Sequence, residues 1–124
     1  MPKQIVVIED DKNVLFGLSL NLKSSGYKVI ALSNGEDAYS KINETIDSGG
    51  KIDLLITDID LPKISGIELL DRLAAVSINI PVIVISGYGR KQIMEDLFGR
   101  EFFNFIEKPF NFKQLSDHID FIFQ

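Results

Sequence analysis

Five short stretches of almost continuous apolar residues recur along the chain, separated by longer stretches in which apolar residues are spaced three or four apart. The apolar stretches are residues 4–8, 27–32, 53–57, 81–86 and 102–106, with the sequences QIVVI, YKVIAL, DLLIT, PVIVIS and FFNFI. Because their apolar positions are mostly consecutive rather than alternating, they are typical of strands buried on both faces of a parallel sheet.

The intervening stretches predict five helices. Their apolar stripes are Val14, Leu15, Leu18 and Leu22; Ala38, Ile42 and Ile46; Ile67, Leu70, Leu73 and Ala74; Ile93, Met94, Leu97 and Phe98; and Leu115, Ile119, Ile122 and Phe123. We expect Gly26 to close the first helix, Ser33 or Asn34 to cap the second, and Asn111 to cap the last. Alternating strands and helices predict an α/β fold with helices on both faces of a parallel sheet.

Composition narrows the class of protein. A length of 124 residues suits one domain, residues 1–124, and the absence of cysteine excludes disulfides and thiolate metal sites. No apolar run reaches the roughly eighteen residues of a membrane span, and the N-terminus turns acidic too soon for a signal peptide, so we expect a cytoplasmic protein. The net charge of −5, with no block of lysine or arginine, argues against direct nucleic-acid binding.

Polar side chains follow four of the five predicted strands. They are Glu9, Asp10 and Asp11 after the first strand, Asp58 and Asp60 after the third, Ser86 after the fourth, and Lys108 after the fifth. Ligands of such sheets bind beyond the carboxyl ends of the strands, so these side chains should meet at one edge. Two carboxylates about 5 Å apart repel by roughly 3 kcal/mol at an effective dielectric near 20. The acidic cluster therefore needs a cation or must take up protons.

The residue types at this edge indicate phosphoryl chemistry. Oxygen donors without a nearby imidazole favour a hard cation, Mg²⁺ or Mn²⁺. A hydroxyl at Ser86, an ammonium group at Lys108 and a cation, arranged around one carboxylate, form a holder for a phosphoryl group. Asp58 would then be the nucleophile that forms an acyl phosphate. The acid pair is either Glu9–Asp10 or Asp10–Asp11, and the first is favoured because it directly follows the strand.

Five motifs, in this order and across essentially the whole chain, resemble the receiver domain of two-component response regulators. They are VVIEDD, LLITDIDLP, GIELL, VIVISG and FIEKPF. The resemblance implies a flavodoxin-like, doubly wound fold, with a five-stranded parallel sheet in the order 2-1-3-4-5 and five helices. It also implies that the domain is a signalling switch and not an enzyme that turns over external substrates.

The resemblance assigns a role to each residue of the acidic edge. Asp58 would accept a phosphoryl group from a sensor histidine kinase or a phosphotransfer protein. Asp10 would bind Mg²⁺ directly, Glu9 would bind it through water, and the backbone carbonyl of Asp60 would complete the metal site. Lys108 would pair with the phosphoryl group, in front of a bond to proline that is often cis in the family.

The resemblance also implies how the signal leaves the site. Ser86 would hydrogen-bond the phosphoryl group, and Phe105 stands where the family has its rotamer switch. The face formed by the fourth helix, fifth strand and fifth helix would change shape to regulate a partner or an output domain, and it could carry a phosphorylation-dependent homodimer. Asp60 and Tyr88 hold positions that tune the lifetime of the phosphorylated state.

The chain departs from the family pattern at two places. Gly87 follows Ser86, where the family often has alanine, and this glycine would loosen the loop that moves on activation. Glu101 and Phe102 replace a common Gly-Ala pair, which leaves the register before Asn104 open.

Three other functions are weighed against a phosphoacceptor switch. The sequence DIDL resembles the Asp-x-Asp motif of haloacid-dehalogenase-type phosphatases, but here an acid pair precedes it and the chain lacks room for a cap. A pseudo-receiver that is never phosphorylated is disfavoured by the intact set of polar residues. A nucleotide-binding fold is disfavoured because GYGRKQ does not complete G-x-G-x-x-G and does not follow the first strand.

Overall fold

The sheet is the centre of the structure. The computed structural model describes residues 2–87 and 103–124. Its strands are β1 (Gln4–Ile8), β2 (Lys28–Leu32), β3 (Leu54–Asp58), β4 (Val82–Ser86) and β5 (Phe103–Glu107), all parallel and in the order β2-β1-β3-β4-β5. Each strand begins and ends within one residue of its predicted position, and the expected flavodoxin-like order is confirmed.

Helices connect the strands. Within the described residues they are α1 (Lys12–Ser24), α2 (Gly35–Asp47), α3 (Gly66–Ala75) and α4 (Phe112–Ile122). The last of these is the fifth helix of the sequence prediction. The predicted fourth helix, with its stripe from Ile93 to Phe98, lies outside the described residues. Among the helices that the structure describes, none is long and apolar enough to cross a membrane.

Side-chain caps begin all four of these helices. Asn34, and not Ser33, caps α2, and Asn111 caps α4 in a reciprocal capping box with Gln114. Asp11 caps α1, because its carboxylate accepts the N–H groups of the second and third helical residues. Ser65 caps α3, which the sequence analysis did not predict.

The sheet separates two apolar layers, as expected for strands buried on both faces. One layer packs α2 and α3 against the sheet, and the other packs α1 and α4 against it. All five residues of β3 are buried, so neighbouring strands and both layers hold the end of this strand in place.

The inward face of α3 differs from the predicted stripe. Leu69 and Leu73 are the buried leucines, whereas Ile67 and Leu70 are half-buried and Ala74 is exposed. Gly66, Leu69 and Leu73 are three and four residues apart, so they form one helical face. The close approach of Gly66 to β3 turns this face toward the sheet.

Replacing Ser19 by alanine should stabilise the protein by about 1 kcal/mol, because a buried hydroxyl without a partner costs about 1–3 kcal/mol. Ser19 lies on α1 and is buried, and its Oγ atom has no hydrogen-bond partner among the described residues. Urea unfolding measures the change. The exposed Ser40→Ala on α2 is the control, since it reports only the helix propensity of alanine. A gain no larger than that of Ser40→Ala would contradict the prediction.

Candidate functional site

The strand register brings the carboxyl ends of β1, β3, β4 and β5 to one edge. Ile8 is paired with Thr57, so Glu9 and Asp58 follow neighbouring positions on adjacent strands. Ser86 is paired with Glu107, so Lys108 follows directly beyond the last pair of β4 and β5. The sheet therefore places all these polar residues on the side where ligands of such folds bind.

Three carboxylates meet at this edge. One oxygen each from Glu9, Asp10 and Asp58 lies within 4.8 Å of the other two. Glu9 and Asp58 are 2% and 3% exposed, whereas Asp10 faces solvent. Of the two acid pairs considered, the structure brings Glu9–Asp10 to Asp58, since the carboxylate of Asp11 is engaged in capping α1.

Within residues 2–87 and 103–124, Lys108 is the cation that contacts this cluster. Its Nζ atom donates to Asp58 Oδ2 at 2.6 Å and lies 3.3 Å from both carboxylate oxygens of Glu9. Its backbone N–H donates to the carbonyl of Ser86 at 2.8 Å, and the Lys108–Pro109 bond is cis. Lys108 therefore links β4, β5 and two of the three carboxylates.

The pKa values of two groups reflect a site with more negative than positive charge. Burial and, to a smaller extent, the nearby Asp58 raise the pKa of Glu9 from 4.5 to about 7, although Lys108 opposes both effects. Burial alone would lower the pKa of Lys108, but the carboxylates of Asp58 and Glu9 outweigh it and raise this pKa above its usual value. Lys108 is thus charged at neutral pH, and it only partly compensates its acidic neighbours.

The loop after β3 orients Asp58. The backbone N–H of Asp60 donates to Asp58 Oδ1 at 3.0 Å, while the side chain of Asp60 is exposed. The loop closes where the N–H of Gly66 donates to the carbonyl of Ile59 at 2.9 Å. A Cβ atom at Gly66 would overlap the carbonyl oxygen of Asp58, so only glycine allows α3 to begin this close to β3.

The predicted switch residues lie on β4, which pairs with β3, and on β5, which pairs with β4. Ser86 is fully buried at the end of β4, and Phe105 is half-buried on β5, where it packs against the layer that contains α2 and α3. Gly87 is exposed, with open space around the position of a Cβ atom. Tyr88 lies outside the described residues.

A groove beside the carboxylates was not predicted from the sequence. It has a volume of about 660 Å³ and lies between α1 and the segment that joins β5 to α4. Its lining includes Glu9 and Lys108, and also Val14, Gly17 and Phe110. Sequence reasoning missed it because a groove between two elements depends on how they pack, which apolar periodicity does not specify.

Comparison with known proteins decides the family. The model of the response regulator receiver domain matches residues 5–120. The chain belongs to this family. Receiver domains are phosphorylation-dependent signalling domains of two-component systems, and this receiver is one of them.

Relatives of this receiver differ in length. It is 29% identical to the alkaline phosphatase synthesis transcriptional regulatory protein PhoP of Bacillus subtilis, over 96% of the chain but only 48% of PhoP. It is 30% identical to the response regulator receiver protein CpdR of Brucella abortus, over 95% of the chain and 94% of CpdR. The chain therefore spans about half the length of one relative and nearly all of the other.

A solved receiver structure supports the same fold. The response regulator protein TrrA of Thermotoga maritima, in complex with Mg²⁺-BeF, superposes on this receiver with a TM-score of 0.79. The two are 27% identical, and the match covers 97% of this chain and 98% of TrrA.

Proposed function

We propose that residues 1–124 form one receiver domain that is switched on by phosphorylation of Asp58. The phosphoryl group would come from a sensor histidine kinase or a phosphotransfer protein, in a reaction that depends on Mg²⁺. The observation that carries this proposal is the position of Asp58. It is a buried carboxylate held by Lys108 and by the N–H of Asp60, next to Glu9 and Asp10.

The donor set fits Mg²⁺, because three carboxylates with only oxygen donors surround a point that is open to water on the side of Asp10. Asp10 and Asp58 would hold the ion, Glu9 would act through water, and the carbonyl of Asp60 would complete the set. Mn²⁺ would be accepted by the same oxygen ligands. When bound, the ion would offset the charge of the carboxylates and of the incoming phosphoryl group. The Mg²⁺-BeF complex of TrrA supports this choice.

The residues of the chain would perform the transfer by position and charge. A carboxylate oxygen of Asp58 would attack phosphorus, forming the O–P bond of an acyl phosphate while the bond from phosphorus to the donor histidine breaks and the imidazole leaves. Lys108, already beside Asp58, would pair with the phosphoryl oxygens. The exposed carboxylate of Asp60 would tune how long the acyl phosphate survives attack by water, as would Tyr88.

The proposed output follows from the neighbours of Asp58. Ser86 would hydrogen-bond the new phosphoryl group, and Phe105 would turn inward to fill the space that opens. The face that β5 and α4 form with the predicted fourth helix would then change shape. An effector domain, a partner protein or a second copy of the chain would bind one of the two states of that face.

The experiment is phosphorylation by a small acyl-phosphate donor with Mg²⁺, followed by intact-mass measurement. We expect one phosphoryl group on the wild type and on Asp60→Asn, and none on Asp58→Asn or in the presence of EDTA. Donor consumption is measured in parallel, so that a short-lived adduct is detected as released phosphate. The proposal would be contradicted if the wild type formed no adduct and also consumed no donor. Turnover of a generic phosphomonoester would instead support the phosphatase alternative.

A further inference from the structure

We propose that Gly35, at the start of α2, is a positioning residue for the loop that follows Asp58. This inference rests on the proposed function, because the loop carries Asp60 and orients Asp58. Gly35 touches neither the phosphoryl group nor the metal in this proposal. It acts through Ile64, the loop residue on which it packs.

The contact between Gly35 and Ile64 leaves no space for a side chain. A Cβ atom at position 35 would overlap the Cγ1 atom of Ile64 and would also lie 2.6 Å from its carbonyl oxygen. The backbone of Gly35 is not in the left-handed region, so the requirement for glycine comes from space and not from conformation. A rotamer change at Ile64 would relieve only the overlap with the side chain. The overlap with the carbonyl requires the backbone to move.

Helix α2 cannot easily withdraw from this contact. Its first turn is capped by Asn34, whose Oδ1 accepts the N–H of Asp37 at 2.8 Å. Glu36 is paired with Arg72 of α3 at 3.3 Å, which ties the same turn to the neighbouring helix. Ala38 is fully buried one turn further along. A side chain at position 35 would therefore displace the loop more readily than the helix.

The loop between β3 and α3 can move in only one direction when Ile64 is displaced. Beyond Ile64, α3 begins with Gly66 packed on the carbonyl of Asp58, so that end is fixed. Ile64 itself is buried, whereas Pro62 and Lys63 are exposed. A shift of the Ile64 backbone would therefore propagate through the exposed residues toward Asp60. The N–H of Asp60 donates to Asp58, so this shift would disturb the orientation of the phosphoacceptor.

The test compares Gly35→Ala with two variants in the same full chain. Gly17→Ala adds a Cβ atom in open space on α1 and should behave as the wild type. Asp53→Ala removes the carboxylate that accepts the N–H of Gln4 at 2.8 Å, at the opposite end of the sheet. We expect it to lower the stability of the protein without changing the loop. We expect Gly35→Ala to accept phosphate from the acyl-phosphate donor at least tenfold more slowly than either variant, at a temperature where circular dichroism shows all of them folded.

A second readout separates this inference from the proposed function. The amide resonance of Asp60 in a ¹H–¹⁵N spectrum reports its hydrogen bond to Asp58 whether or not the protein is phosphorylated. We expect this resonance to shift in Gly35→Ala and to stay unchanged in Gly17→Ala and Asp53→Ala. If the wild type takes no phosphate, the proposed function fails, and the amide shift still decides whether Gly35 positions the loop.

A folded Gly35→Ala with the wild-type rate and an unshifted Asp60 amide would overturn the proposal. If Gly35→Ala does not fold, Ile64→Ala tests the same contact from its other side, because it removes the side chain on which Gly35 packs. It should then slow phosphorylation and shift the Asp60 amide, and wild-type values for both would equally overturn the proposal.

Discussion

Replacing Lys108 by methionine is expected to lower the free energy of unfolding of the metal-free protein by about 3 kcal/mol at pH 8. Methionine keeps most of the side-chain volume but leaves the buried carboxylates of Asp58 and Glu9 without their cation. Removing one partner of a buried ion pair costs roughly 3–5 kcal/mol, and the partly exposed ammonium group places this case at the lower end. Urea unfolding in EDTA measures the difference.

Lys113→Met is the matched control for this change. Lys113 is also paired with a carboxylate, that of Asp117 at 3.0 Å, but both side chains are exposed. Such a pair contributes about 0–1 kcal/mol, so this variant should remain close to the wild type. The effect of Lys108→Met should diminish in saturating Mg²⁺, because a bound cation replaces part of the lost charge. Equal effects of the two substitutions would contradict the role assigned to Lys108.

The hydrophobic pattern was sufficient to predict the strands because β3 and β4 are buried throughout and β1 nearly so. A strand covered on both faces must be apolar at successive positions, and such a run of apolar residues is visible in the sequence. The order of the strands could not be predicted from the hydrophobic pattern. It came from the family resemblance, since periodicity does not say which strands are neighbours.

Of the four described helices, α3 is the one whose inward face was predicted less accurately. In α3 the predicted stripe included Ala74, which is exposed, and omitted Leu69, which is fully buried. Several apolar residues occur on each side of this helix, so the pattern allows more than one inward face. Tertiary packing decides between them, through the contact of Gly66 with β3.

The residues of the site could be predicted from their positions at the ends of strands, but their contacts could not. The sequence indicated that Lys108 and Glu9 would lie at one edge, and it did not show that Nζ would lie 3.3 Å from both carboxylate oxygens of Glu9. The contact between Gly35 and Ile64 had no recognisable signal either. It joins the first residue of α2 to the loop before α3, and their relative position depends on the packing of these two helices.

Replacing Glu9 by glutamine is expected to have the opposite effect to Lys108→Met and to stabilise the metal-free protein above pH 7. Burial raises the pKa of Glu9 from 4.5 to about 7, so the folded state holds a proton that the unfolded state releases. The stability associated with this proton is fully present below pH 4.5 and is lost as the pH rises through 7. At about 1.36 kcal/mol per pKa unit, the wild type should lose about 2–3 kcal/mol from this group between pH 5 and pH 8. Glutamine does not titrate, so the variant should not show this loss.

Urea unfolding at pH 5 and pH 8 in EDTA tests this pH dependence, with the exposed Glu44→Gln as the control for removing one negative charge. Glu44→Gln should follow the wild type at both values, whereas the advantage of Glu9→Gln should appear mainly at pH 8. Saturating Mg²⁺ should then narrow the difference in unfolding free energy between the wild type and Glu9→Gln at pH 8. A ligand that binds the folded state stabilises a protein more when its site is tighter, and the wild type keeps the Glu9 carboxylate in the site. Parallel pH profiles of wild type and Glu9→Gln would show that Glu9 is not the group that titrates. An advantage that Mg²⁺ leaves unchanged would place Glu9 outside the metal site.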